Sequence, residues 1–70
     1  MLICKFKQRL KELRIEKNLQ QKDLAEIINV SKSAVSGWEV GRNQPNYEIL
    51  MKLASYFEIS IDYLLGYNDY

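Results

Sequence analysis

Seventy residues, 47% of them hydrophobic, with a net charge of +1 can build one small core and no more, since a chain this short buries only about 60% of the surface its unfolded form exposes. No apolar run approaches the roughly 18 residues of a membrane span, and the opening MLICKFKQRL carries no signal-peptide pattern, so a soluble, cytoplasmic protein is expected. With no histidine, one cysteine, no glycine-rich phosphate loop and no cluster of metal ligands, the usual nucleophiles, bases and ligands are missing: neither an enzyme nor a cofactor or metal site is expected.

The small net charge conceals an asymmetry. Residues 1–42 hold nine Lys/Arg against five Asp/Glu, a net of +4, while residues 43–70 hold one Lys against four, a net of −3. The basic half can attract a polyanion, although such a bias also suits a plain solvated face. Cys4 has no partner for an internal disulfide, which fits a reducing compartment, and it reads as a buried structural thiol rather than a reactive one.

In chain order the pattern predicts an all-α domain of five helices over residues 1–66, followed by a short tail, 67–70. The first helix, near 3–17, spaces Ile3, Phe6, Leu10 and Leu13 along one face and ends at Asn18, a residue that tolerates the left-handed conformation. The second, about 21–28, has Leu24, Ala25 and Ile28 as its inner stripe, with Asp23 favourably placed in the first turn. The third, about 32–40, starts after a Ser31 cap and stops at Gly41. Pro45 bars continuation, Asn46 caps a fourth helix with Ile49, Leu50, Leu53, Ala54 and Phe57 on one face, and Ser60 caps a fifth that Gly66 closes. The carboxylates Glu12, Glu16, Asp23 and Glu26 sit at helical surface spacings among Lys and Arg, and read as solvated faces.

The junction between the second and third helices is the informative part. Asn29 stands where the chain must turn sharply, a position that favours a residue tolerant of positive φ. Ala25, four residues earlier, is small where a crossing helix needs close approach. Leucine and alanine recur in any helical hairpin, yet a small residue, a left-handed turn and then Val30, Val35 and Trp38 at these spacings fit a helix-turn-helix better. The third helix also has a bare outer face: Lys32, Ser33, Ala34, Ser36 and Gly37 offer little to pack.

LKELRIEKNLQQKDLAEIINVSKSAVSGWEVGRNQPNYEILMKLASYFEISIDYLLG, residues 10–66, resembles the Cro/CI-type helix-turn-helix family of bacterial and phage regulators, also called the XRE family and typified by lambda repressor. The resemblance implies a lambda-repressor-like five-helix fold whose third helix enters the major groove of double-stranded DNA, a groove about 12 Å wide that small side chains fit closely. It implies base-facing roles for Lys32, Ser33, Ala34, Ser36 and Gly37. It implies phosphate-facing roles for Gln21, Lys22, Arg42, Asn43, Gln44, Asn46 and Tyr47. Gln20 stands where the family carries a Thr or Ser cap, which predicts a weaker start to the second helix. Arg14 and Glu39 match a family ion pair.

The function so implied is sequence-specific DNA binding by a transcriptional regulator, a repressor in the simplest case. A protein-binding module on the same fold, such as an antitoxin with a protein partner, is the alternative that the modest charge and the small readout residues favour. Five small side chains discriminate few base pairs. A homodimer on an inverted-repeat operator is therefore expected, joined through the C-terminal region, where Tyr56, Ile59, Tyr63, Tyr67 and Tyr70 offer more aromatic surface than the core can use.

Overall fold

The computed structural model describes residues 4–67, which form five helices in the order α1 (Phe6–Glu16), α2 (Gln21–Ile28), α3 (Lys32–Val40), α4 (Tyr47–Phe57) and α5 (Ile61–Leu65), with no strand among them. The ends of α2 to α5 fall where the capping residues put them. Ser31 Oγ accepts from Ala34 N–H at 3.1 Å, Asn46 Oδ1 from Ile49 N–H at 2.9 Å and Ser60 Oγ from Tyr63 N–H at 3.0 Å. Each supplies an acceptor to a first-turn N–H that has no partner inside its own helix. At the other ends Asn29, Gly41 and Gly66 all take the left-handed conformation, which reverses the chain within one or two residues.

The start of α2 is closed more firmly than Gln20 alone would achieve. Asp23 Oδ2 accepts from the Gln20 backbone N–H at 2.8 Å, the reciprocal half of a capping box, in which the third helical residue reaches back to the cap.

Two expectations at the chain start are corrected. The first helix begins at Phe6 rather than near residue 3. Lys5, its cap, provides no side-chain acceptor, and its backbone N–H instead donates to the Leu65 carbonyl at 3.0 Å, so the approach to α1 is tied to the end of α5. Ile3, assigned to the inner stripe, lies outside the described residues. Cys4 is exposed rather than buried, because it belongs to this non-helical approach and not to the helix whose face points inward.

One core joins all five helices. Phe6 and Leu10 from α1, Leu24, Ala25 and Ile28 from α2, Val35 and Trp38 from α3, Leu53 and Phe57 from α4 and Leu64 from α5 are buried together, with Leu13, Val30, Ile49 and Leu50 closing its margins. At about 25 cal/mol per Å² of apolar surface removed from water, these side chains carry most of the stabilisation. Arg9 is buried beside them: its guanidinium donates to the Tyr63 carbonyl and lies 4.2 Å from the Tyr63 ring centroid. A second clasp thus holds α1 to α5. The arrangement leaves α3 seated on α1 and α2, with its remaining face turned to solvent.

Candidate nucleic-acid interface

On α3, Val35 and Trp38 point into the core, so the opposite side must carry any recognition surface. Lys32 and Ser33 are exposed, Ser36 is half-buried and Val40 is 60% exposed. These four share one face at helical spacing. Val40 was missed from sequence, although its place four residues after Ser36 was the signal.

Two expected base-facing residues are placed otherwise. Ala34 is half-buried and packs against the core, because its position on the helix turns it toward the neighbouring helices. Gly37 is buried. A Cβ built there would stand 2.9 Å from Asn43 Cγ and Nδ2 and nearer still to Oδ1. The absence of a side chain at residue 37 makes room for the chain returning after α3, and the Asn43 side chain covers the site.

The flank of α3 nearest α2 is built on a buried ion pair. Arg14 Nε and Nη2 donate to Glu39 Oε2 and Oε1 at 2.6 and 3.0 Å, and Arg14 Nη1 donates to the Leu19 carbonyl at 2.7 Å. The Glu39 side chain is only 3% exposed. A planar guanidinium meets a carboxylate through two parallel bonds, the geometry that gives such a pair its direction and strength. Hydrogen bonding and the charge of Glu39 push the Arg14 pKa upward against the opposing effect of burial. The guanidinium of Arg14 is therefore held in its charged form at least up to the ordinary arginine range.

Gln21, expected to face a phosphate, joins this pair: its Nε2 donates to Glu39 Oε1 at 3.1 Å. One amide proton is thereby engaged, the amide plane is set, and the second amide proton remains as the donor that this side chain can offer an anion. Lys22 beside it is exposed. On the other side of α3, Arg42, Asn43 and Gln44 are exposed in the loop, and Tyr47 at the start of α4 is 85% exposed. Asn46 lies between them, but its side-chain oxygen is committed to the cap of α4, which leaves only its amide N–H2 as a donor. The face therefore presents three cations, Lys22, Lys32 and Arg42, around small hydroxyl side chains, with hydrogen-bond donors along both edges.

The expected dimer residues do not form one surface. Tyr56 is half-buried against Phe57, lies under Lys17 Nζ at 5.1 Å, and lines a groove of about 530 Å³ with Ile27, Met51 and Lys52. Ile59 packs at the core margin and Tyr63 lies under Arg9. Tyr67, 59% exposed, lines a different groove of about 460 Å³ with Pro45, Tyr47, Leu50 and Leu65. Tyr70 lies outside the described residues. The tyrosines are divided because α4 and α5 present different faces to solvent, a separation that sequence proximity hides.

Among the described residues there is no group of three or more His, Cys, Asp or Glu side chains that could hold a metal ion, and no helix is long and apolar enough to cross a membrane.

Comparison with known proteins gives this geometry a setting. A helix-turn-helix family model matches residues 10–64. The transcriptional activator BcrR of Enterococcus faecalis is 44% identical over 61 residues, covering 87% of this chain and 30% of BcrR. The uncharacterised transcriptional regulator YobD of Bacillus subtilis is 39% identical over 62 residues, covering 89% of this chain and 55% of YobD. The chain thus spans between about a third and about half the length of these relatives. Among solved structures, the P22 c2 repressor in complex with a synthetic operator superimposes with a TM-score of 0.83 at 32% identity, over 90% of this chain and 96% of that one.

Proposed function

From the premise that the chain belongs to the Cro/CI-type helix-turn-helix family, we propose that residues 1–66 are the DNA-binding domain of a cytoplasmic transcriptional regulator, a repressor in its simplest form, that lays α3 in the major groove of duplex DNA. The observation that carries this reading is the exposed face of α3, where Lys32, Ser33 and Ser36 project beyond a buried Val35 and Trp38. Small side chains there permit close approach of the helix backbone to the base edges, and Lys32 can donate to guanine O6 and N7. Gln21 with Lys22 on one edge, and Arg42, Gln44 and Tyr47 on the other, fit the two phosphate runs that border a groove. No catalysis is part of this reading.

The working form on DNA is a homodimer on an inverted repeat, with the two copies of α3 about 34 Å apart on one side of the duplex. The second copy docks on the Tyr67 groove. That groove is bordered by Gln44, Pro45 and Asn46 of the loop after α3, and of the described tyrosines of the C-terminal region Tyr67 is the exposed one.

Titration of the chain with duplex DNA at increasing salt tests the reading. Each phosphate neutralised should contribute about −0.9 to the slope of log K against log salt. A protein-binding module with no role for DNA would show no such slope, and one chain bound per site on a sequence without two-fold symmetry would remove the dimer.

A further inference from the structure

We propose that Asn43, carried on the loop after α3, supplies the base-reading carboxamide that the recognition helix itself lacks, and that its target is adenine. The proposal rests on the duplex-DNA reading above and reassigns Asn43 from the phosphates to the base edges. Along its exposed face α3 carries one long donor, Lys32, two serines and Val40, and neither an amide nor a guanidinium. Position 37 lies one turn after Ser33, at the margin of that face, and it is a glycine. The space its side chain would fill is already occupied: a Cβ at Gly37 would stand 2.9 Å from both Cγ and Nδ2 of Asn43 and nearer still to Oδ1, so the whole carboxamide lies against the glycine.

The backbone brings Asn43 to that place. Gly41 takes φ +81 and turns the chain back over the end of α3. The Gly37 carbonyl then accepts from Gly41 N–H, from Arg42 N–H at 2.9 Å and, more weakly, from Asn43 N–H at 3.5 Å. Asn43 is thus registered to Gly37 although it lies outside the helix, and it remains exposed while the glycine beneath is buried. A phosphate can use only the donor of a carboxamide. Adenine uses both groups, because its N6 amino group donates and its N7 accepts in a geometry that an asparagine side chain matches with two bonds. Asparagine also has only two side-chain torsions to immobilise, so seating it in advance leaves little ordering to be done on binding.

Selection of bound duplexes from a randomised library, with the full chain and three variants, tests this. The wild-type chain should select adenine at one position of each half-site. Asn43→Ala should lose that preference by roughly five- to a hundredfold while other positions keep theirs. Asn43→Asp, which keeps the shape and loses the donor, should move the preference toward cytosine, whose N4 group donates. Gly37→Ala leaves Asn43 in the chain but displaces it from its seat, and should erase the same column while circular dichroism shows an intact helical fold. If Asn43→Ala weakens every duplex alike, or selects the wild-type sequence unchanged, the assignment is overturned while the DNA reading stands. A wild-type chain that binds no duplex overturns the DNA reading itself.

Discussion

Gln21 and Asn43 carry the same chemical group to the two edges of α3, and the structure holds them in opposite ways. The Gln21 amide is bonded to Glu39, which a guanidinium grips from the other side. It stands on three helices at once, since Arg14, Gln21 and Glu39 belong to α1, α2 and α3. The Asn43 carboxamide rests against a glycine and is held through its backbone by one accepting carbonyl. The first arrangement joins position to stability: what breaks the ion pair between α1 and α3 also releases the amide. The second separates them, because a loop residue over an empty helix position can change with small effect on the fold. Groups built on rigid elements suit a contact common to all DNA, and groups on loops suit one that varies.

The largest test of this contrast is Arg14→Ala. It leaves a carboxylate that is 3% exposed without its charged partner and removes a bond to the Leu19 carbonyl. Breaking a buried pair from one side costs on the order of 3 kcal/mol, a large share of the total for a domain this small. Urea denaturation should show it, and a loss well under 1 kcal/mol would mean that water screens the pair. A double-mutant cycle with Glu39→Gln should then return a coupling comparable to the loss itself.

Next comes Gly41→Ala. A side chain at φ +81 should cost about 1 to 2 kcal/mol, read as a lowered midpoint of thermal unfolding. It should also loosen the seat of Asn43 without altering the Gln21 edge, so duplex selection should show the adenine preference weakened while the preferences at other positions are kept. An unchanged midpoint would show that the turn after α3 is not held as described.

The smallest effect is expected from Gln21→Ala, which should weaken binding to every duplex by about fivefold, near 1 kcal/mol for one hydrogen bond, with no change in sequence preference. Measured affinities for matched and mismatched duplexes that fell by different factors would transfer Gln21 from positioning to reading.

Much of this molecule was legible because its punctuation is local. Ser31, Asn46 and Ser60 satisfy N–H groups three residues ahead, and Asn29, Gly41 and Gly66 reverse the chain within a residue or two, so helix ends follow from neighbours in sequence. The inner stripes of α2 and α4 likewise needed only the helical period. The candidate face was legible in outline, since Lys32, Ser33 and Ser36 stand together on the open side of α3. What stayed hidden depended on residues meeting from far along the chain or across a turn. Gly37 looked like part of an open face because nothing local says that Asn43 folds back over it. Gln21 was read only for the phosphate it could face, because its partner Glu39 is 18 residues away. Arg9, a charge among charges in sequence, is buried because it meets a carbonyl 54 residues on. The tyrosines of the C-terminal region were read as one surface because adjacency in sequence does not reveal which side of a short helix faces which groove.

The clasp between the first and last helices also bears on the order in which the domain forms. Joining Arg9 to Tyr63 closes a loop of most of the chain, whereas α2 and α3 meet across a three-residue turn. Loop closure costs more entropy as the span grows, and short-range contacts form first. A five-residue α5 has too few turns to persist by itself. It should therefore be the last element to dock in folding and the first to leave in unfolding, while α2, α3 and their shared core are still together. Native-state hydrogen exchange should show the Lys5 and Leu64 amides opening at lower free energy than those of Ile28 and Trp38. Equal protection at all four would mean that the domain opens only as a whole, with no partly released state for the clasp to govern.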